Sequence, residues 1–512
     1  MKTRTPSRRP PSFRRLASVV AMALILQGCA SRPEPFNADK AAQGSKDKID
    51  KLVASEDPVR GELSLYEAMA RALKYNLDHK IELSDELLKQ RQLELSNFDM
   101  LPTLVGSSGF NGRNNDQGSR SRSLLSGNQS LEPSTSSERT GFTGDLVLSW
   151  DVLDFGLAYV RAQQAADQRL ISAESRRKVV NRILEDVRTS YWRAVSADRT
   201  FKKLVELEAL AQKSLRQAED LESRRIVAPL IVLGFQRDLL QVQGEVQRLQ
   251  RELALAKIQL AALMNLSPDT DFKLVLPDRT DVVPELPGSA DEMVLVSLRF
   301  RPEMRESAYK KQINEKELKA AYLRALPSVK GILGLNFDDN TYLVNKQWVS
   351  ASARVSWNLL NAFRYPTQKR TIEAEGQVIV QRELALTMAI MTQVHVARVR
   401  FVRLSQELNT IGRSQAVQER ILDLSRAGFK VKSVSQQSLV REELNAVLSE
   451  VRYDTAYADL QNAYANLYAS MGLDNFGVDI TSNMPLPELT NVLQEHWTER
   501  AINLPPMPEG QS

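Results

Sequence analysis

Three histidines and one cysteine are the rare reactive side chains of this 512-residue chain. His79, His395 and His496 lie far apart, and none stands in a metal-binding spacing such as His-Glu-x-x-His. No Gly-Lys-Ser/Thr phosphate loop and no Gly-x-Ser-x-Gly nucleophile turn occurs. Asp and Glu are plentiful, but most fall in helical stretches four residues from a Lys or Arg, the pattern of a solvated helix face. His395 reads as a polar member of a helix seam. These residues predict no enzyme, no metal site and no cofactor.

The cysteine, Cys29, has a different chemistry in prospect. Residues 1–28 carry Lys2, Arg4, Arg8, Arg9, Arg14 and Arg15 with no acid, and an apolar run extends from Leu16 to Leu26. This is the order of a secretory signal peptide, and a run of eleven residues, apolar but for Ser18, falls short of the roughly 20 that span a bilayer. Leu26-Gln27-Gly28-Cys29 resembles the bacterial lipobox, whose cysteine is acylated and becomes the first mature residue; Gln27 is a less usual choice there. The alternative is an ordinary signal peptide that happens to contain a cysteine. A lone Cys forms no internal disulfide, and a free thiol is a liability in an oxidising compartment. Ala30 and Ser31 follow, and the lipobox resemblance implies the outer membrane, because Asp there marks retention at the inner one. Without the six basic residues, the formal net charge of +5 falls to about −1, so the high pI does not argue for a nucleic-acid partner.

The elements that follow are duplicated. Leu73-Lys74-Tyr75-Asn76 precedes Leu298-Arg299-Phe300-Arg301 by 225 positions, as Leu101-Pro102 precedes Leu326-Pro327. Beyond these marks the separation becomes 207: Ser149-Trp150 matches Ser356-Trp357, and Met264-x-Leu266 matches Met471-x-Leu473. The single change falls in a Ser-, Gly-, Asn- and Arg-rich stretch, 113–139, that reads as a long loop. The chain is therefore read as two copies of one unit, 62–268 and 288–475. Residues 29–61 read as a polar tether, and 476–512 as a Pro-rich tail that wraps the surface or is disordered.

Each copy predicts a helix, two strands and two helices. An amphipathic stretch, 64–100 or 289–325, ends at Pro102 or Pro327, because proline cannot extend a helix and disfavours αR in its predecessor. The apolar period then becomes two over about 103–112, 140–151, 328–338 and 347–357. Such runs suit tilted membrane-spanning strands, and equally a soluble hairpin packed on helices. After each Trp the period is helical again, from Ile183 through Val187, Tyr191 and Val195 to Ala218, and from Leu384 through Met388, Val394 and Leu408 to Leu424. Each series predicts one apolar stripe facing a partner helix, with 230–266 and 435–472 returning alongside. The stretch 384–402 is no membrane helix, since Gln393, His395, Arg398 and Arg400 interrupt it.

With Leu-Pro at both helix-to-strand joints, and Ser149-Trp150-Asp151-x-x-Asp154-Phe155-Gly156 and Ser356-Trp357-Asn358-x-x-Asn361-Ala362-Phe363 at both strand-to-helix joints, the chain resembles the TolC-like outer-membrane factors of lipoprotein type. Ala362-Phe363 departs from the Phe-Gly of the pattern. The resemblance implies a mainly α fold with a transmembrane β part, in which four strands per chain complete a shared 12-stranded barrel above a 12-helix periplasmic tunnel in a trimer. It implies an outer-membrane exit channel of a tripartite efflux or type I secretion system. The implied partners are a homotrimer, outer-membrane lipid, a periplasmic adaptor (membrane fusion protein) and an inner-membrane transporter of RND, ABC or MFS type. A need to oligomerise follows independently, because four strands are fewer than the smallest single-chain barrel and leave two open edges. The competing reading is a lipid-anchored periplasmic scaffold or adaptor without channel activity.

The resemblance also places the periplasmic gate and adaptor contact at the helix tips. The second tip runs Arg426-Ala427-Gly428-Phe429-Lys430-Val431-Lys432-Ser433, with Asp423 nearby and Gly428 expected to permit the reversal. Leu221 stands in the place of Gly428 in the first copy, so the reversal there is expected near Ala228-Pro229. Arg426, Lys430 and Lys432 are either basic rings favouring anions or an acidic partner, or solvated charges suiting a helix C-terminus. Phe429 is either an adaptor anchor or an exposed tip residue.

Overall fold

A computed structural model describes residues 37–54, 57–224, 228–267, 270–279, 283–473 and 484–500. The signal segment and Cys29 lie outside the described residues. The chain divides into two units, residues 1–57 and 58–512. In the first, the expected tether contains a helix, α1 (Ala38–Ala54), whose first N–H groups, of Asp39 and Lys40, donate to the Asn37 side chain.

In the second unit the helix boundaries recur at the two separations seen in the sequence. Helices α2 (Leu65–Tyr75) and α3 (Leu77–Phe98) recur 225 residues later as α6 (Ala290–Phe300) and α7 (Pro302–Leu323). The 72-residue helix α4 (Val152–Ser223) and the 35-residue α5 (Pro229–Leu263) recur 207 residues later as α8 (Leu359–Lys430) and α9 (Gln436–Ser470). Where the periodicity predicts one helix before each Leu-Pro, the structure has two. Asn76 and Arg301 both turn extended, with ψ of 131°. Asn76 then caps α3 by accepting the N–H groups of Asp78 and His79. In the second copy Pro302 opens α7 and excludes αR at Arg301.

Strands β2 (Thr103–Gly112), β3 (Thr140–Asp151), β5 (Ser328–Asp338) and β6 (Gln347–Ser356) form one antiparallel sheet in the order β2-β3-β5-β6. The β3–β5 ladder joins the two copies, and β2 and β6 are its unpaired edges among the described residues. A short parallel pair, β1 (Glu62–Leu63) with β4 (Lys273–Leu274), was not legible from the periodicity. It covers Tyr191, whose hydroxyl lies 3.0 Å from the Val275 carbonyl oxygen.

The helices continue the same lateral order. Beside the sheet α3, α4, α7 and α8 follow one another, and farther away α5, α4, α9 and α8 do. One core lies around α2 and the middle of α4, a second between α6, α8 and α9, and a third between α4, α5 and α9. The 72 residues of each long helix correspond to roughly 108 Å.

The structure departs from the expectations on α8, and it gives the tail an element that they did not name. The Pro-rich tail holds a helix, α10 (Leu486–Arg500), that packs on α2 and buries Leu489 and Leu493. Pro485 and Pro487 stand at its start, where a missing N–H costs nothing. On α8 the apolar residues form two stripes rather than one. Ile390, Val394, Phe401 and Leu408 are buried, whereas Leu384, Met388, Val417, Ile421 and Leu424 are exposed. At 100° per residue the two sets occupy nearly opposite faces of α8. His395 is exposed on α8 rather than enclosed in a seam of this chain.

Candidate functional site

Register turns the period-two pattern into a surface. Leu104 pairs with Leu148, Leu148 with Leu333, and Leu333 with Ala351. In the next row Leu146 pairs with Leu335, and Leu335 with Val349. Because Cβ atoms alternate strictly, all these residues share one face. The opposite face carries Ser107, Asp145, Asn336 and Trp348 in one row, and Asp151, Lys330 and Arg354 in another. Leu104, Leu333, Leu335 and Val349 are all exposed.

Aromatic side chains bracket the apolar face. Trp150, in edge contact with Phe155, and Trp357 mark the helix end, and Phe142, packed near Phe337, marks the other. From Trp150 to Phe142 is about 27 Å along β3, close to the height of a lipid-facing apolar band between aromatic girdles.

The strand–helix joints show what their repeated residues do. Pro102 and Pro327 directly precede the first residues of β2 and β5, Thr103 and Ser328. Asp151 caps α4 by accepting N–H groups from Leu153 and Asp154, at 2.9 and 3.2 Å. Asn358 caps α8 through Leu360 N–H. The polar residue after each Trp is thus an N-cap, a role that the sequence pattern contains but the expectations did not name. Asp151 also accepts from the Ser328 hydroxyl. Trp357 donates through Nε1 to the Ala325 carbonyl, tying the strand end to the preceding helix. Gly156 has ordinary space around it, the nearest atom to an added Cβ being Leu323 Cδ1 at 3.6 Å.

At the second tip the expected role of Gly428 changes. Gly428 is helical, and the left-handed residue is Lys432, with φ of 60°. Ser433 N–H donates to the Gly428 carbonyl at 2.9 Å, and Lys432 N–H to that of Phe429 at 3.0 Å. This is a Schellman closure with Lys in the position usually held by Gly. Gly428 instead makes room, since a Cβ there would stand 2.6 Å from Val434 Cγ2. Ser435 then caps α9 through Ser438 N–H. Arg426 lies 3.7 Å from Glu443, while Asp423, Phe429, Lys430 and Lys432 are exposed.

The first tip ends at Ser223 and restarts at Pro229, in register with Lys430 and Gln436. The expected reversal near Ala228-Pro229 adjoins residues 225–227, which lie outside the described set. Above the tips, Arg441 of α9 reaches Asp238 of α5 at 2.9 Å and joins the two helical hairpins. Among the described residues no group of three His, Cys, Asp or Glu side chains is arranged to hold a metal. No described helix is long and apolar enough to cross a membrane.

No protein-family model and no curated protein sequence matches the chain. Solved structures do. The Campylobacter jejuni CmeC outer membrane channel is 14% identical, with 93% of this chain and 98% of that one covered and a TM-score of 0.63. The outer-membrane channel OprN is 15% identical over 80% of this chain and 89% of that one, with a TM-score of 0.63. The open-state Neisseria gonorrhoeae MtrE outer membrane channel is 17% identical over 80% and 88%, with a TM-score of 0.60. The fold is that of TolC-like outer-membrane channels, as the paired joints imply.

Proposed function

We propose that this chain is the outer-membrane exit duct of an export machine, a passive conduit without chemistry of its own. One observation carries the reading: the protomer is a wall left open along both sides. Among the described residues, β2 and β6 bound its sheet as edges without an outer partner. Exposed apolar residues line the flanking helices, Ile81, Leu88 and Leu95 on α3 at one side, and Leu384, Met388 and Val417 on α8 at the other. Open strand edges are not tolerated in hydrocarbon, and an apolar stripe on a helix of such length needs a neighbour. Copies that join edge to edge satisfy both demands at once.

Three copies, the number that the family resemblance implies, would close twelve strands and continue them as twelve helices. The apolar sheet face then meets lipid and the row of Asp151, Lys330 and Arg354 lines the lumen. Acylated Cys29 anchors the chain to the outer membrane. The helix tips around Gly428 and Phe429 are the inner gate and the contact for a periplasmic adaptor, which couples the duct to an inner-membrane transporter.

The test is the purified full-length protein. Heat-modifiable trimers in outer-membrane fractions, together with single-channel conductance in planar bilayers, are expected. A Cys29→Ser protein that is monomeric, water-soluble and non-conducting would support a periplasmic scaffold instead and end the duct reading.

A further inference from the structure

Both helix reversals are basic and free of acid. From 223 to 237 the chain has Arg224, Arg225 and Arg237 with no Asp or Glu; from 424 to 441 it has Arg426, Lys430, Lys432 and Arg441, again with none. Several of these charges are spoken for. Arg224 pairs with Asp220 at 2.9 Å, Arg237 and Arg441 both reach Asp238, and Arg426 approaches Glu443. Lys430 and Lys432 differ. Both are exposed, and among the described residues neither has a carboxylate within ion-pair distance.

A helix C-terminus favours nearby cations, and that accounts for Lys430. It does not account for Lys432. With φ of 60°, Lys432 occupies a left-handed position that glycine adopts freely and that a side chain with a Cβ resists. The helix end would close better with Gly there. A strained residue kept at the extremity of a tip points to a use for its side chain, and its ammonium group is the chemistry on offer.

We infer that Lys430 and Lys432 form a positive collar at the inner mouth that makes the duct selective for small inorganic and organic anions. The inference rests on the duct reading above. Copies of the tip arranged around one axis repeat both ammonium groups as rings, the means by which pores favour anions. The effect requires a narrow mouth, because charges farther than about 8 Å from the ion path are screened at physiological salt.

The experiment is the reversal potential of the full-length protein in a planar bilayer under a tenfold KCl gradient. Several-fold chloride preference is expected at low salt, weakening toward 1 M. Lys430→Gln with Lys432→Gln is expected to remove most of it, and Lys432→Arg to retain it. Absence of any conductance overturns the duct reading and the collar together. Conductance with potassium preference, or chloride preference unchanged by the double substitution, overturns the collar alone. Should the double variant fail to assemble, Lys430→Gln and Lys432→Gln made singly are each expected to lose part of the preference, and a preference unchanged in both overturns the collar.

Discussion

Gly472 lies so close to Arg301 that a Cβ added to it would stand 2.9 Å from the Arg301 Cα and N. The returning helix α9 thereby closes directly on the break between α6 and α7. Gly472 has φ of 74°, and Leu473 N–H completes the cap on the Tyr468 carbonyl at 3.1 Å. The first copy solves the same joint differently. Asn265 takes the left-handed position, with φ of 61°, and Asn76 Nδ2 donates to the Leu263 carbonyl at 3.1 Å.

Gly472→Ala is accordingly expected to cost about 2–3 kcal/mol, combining left-handed strain with a backbone clash that no rotamer relieves. Asn265 already carries a Cβ, so Asn265→Ala adds no such clash and is expected to cost less, about 1 kcal/mol. Thermal midpoints of helical ellipticity in detergent would compare them. Equal losses would mean that the close approach contributes nothing.

Asp454 is a second place where the copies are tied together. Its side chain is 0% exposed and lies 3.1 Å from Arg199 and 2.5 Å from Arg279, which belongs to the segment between the copies. Asp454→Ala leaves guanidinium groups facing each other without their carboxylate and is expected to cost about 3–5 kcal/mol. Arg279→Ala, at a partly solvated partner, should cost clearly less. Denaturant midpoints of the two variants give the comparison.

His79 makes stability depend on pH. It is 1% exposed; Nδ1 lies 2.5 Å from the Leu73 carbonyl oxygen, and Nε2 has no hydrogen-bond partner among the described residues. Burial, with Arg176 nearby, lowers its pKa below the ordinary 6.5, against smaller opposing effects of the Leu73 carbonyl and Glu82. Above 6.5 the ring is neutral in both states and contributes no slope. As the pH falls below 6.5, the unfolded chain takes up a proton that the folded site resists, so stability falls until the lowered folded value is passed. His79→Gln is expected to flatten this part of a melting-temperature profile between pH 7 and 5, and an unchanged slope would refute the assignment.

The two faces of the sheet should respond in opposite ways to charge. Val349 belongs to the apolar row with Leu146 and Leu335, and its neighbour Ser350 points to the other side. Val349→Arg is expected to lose about 2–4 kcal/mol where it meets the middle of the bilayer, while Ser350→Arg is tolerated. The yield of heat-modifiable oligomer from outer-membrane fractions would show the difference, and equal yields would argue against a lipid-facing row.

Much of this architecture is written in local sequence. The two repeat separations locate α4, α5, α8, α9 and all four long strands, because Pro102 and Pro327 bar the preceding helices from continuing into the strands and Trp-Asp or Trp-Asn supplies the N-cap of the next helix; the breaks at Asn76 and Arg301 were not foreseen. Strand alternation at Leu146, Leu148 and Trp150 likewise needs only the pleat. Tertiary structure decided what depends on distant partners. It split the apolar residues of α8 into one face packed on α9 and another left open, a division that periodicity alone does not make because both sets recur at helical spacing. It made Lys432, rather than Gly428, the left-handed residue, since Gly428 is reserved for the approach of Val434. It also recruited Leu489 and Leu493 of the tail into the core, where burial against α2, more than 400 residues earlier, outweighs a Pro-rich composition. Local rules act between neighbours in the chain, whereas these outcomes depend on which surfaces meet once the helices have closed.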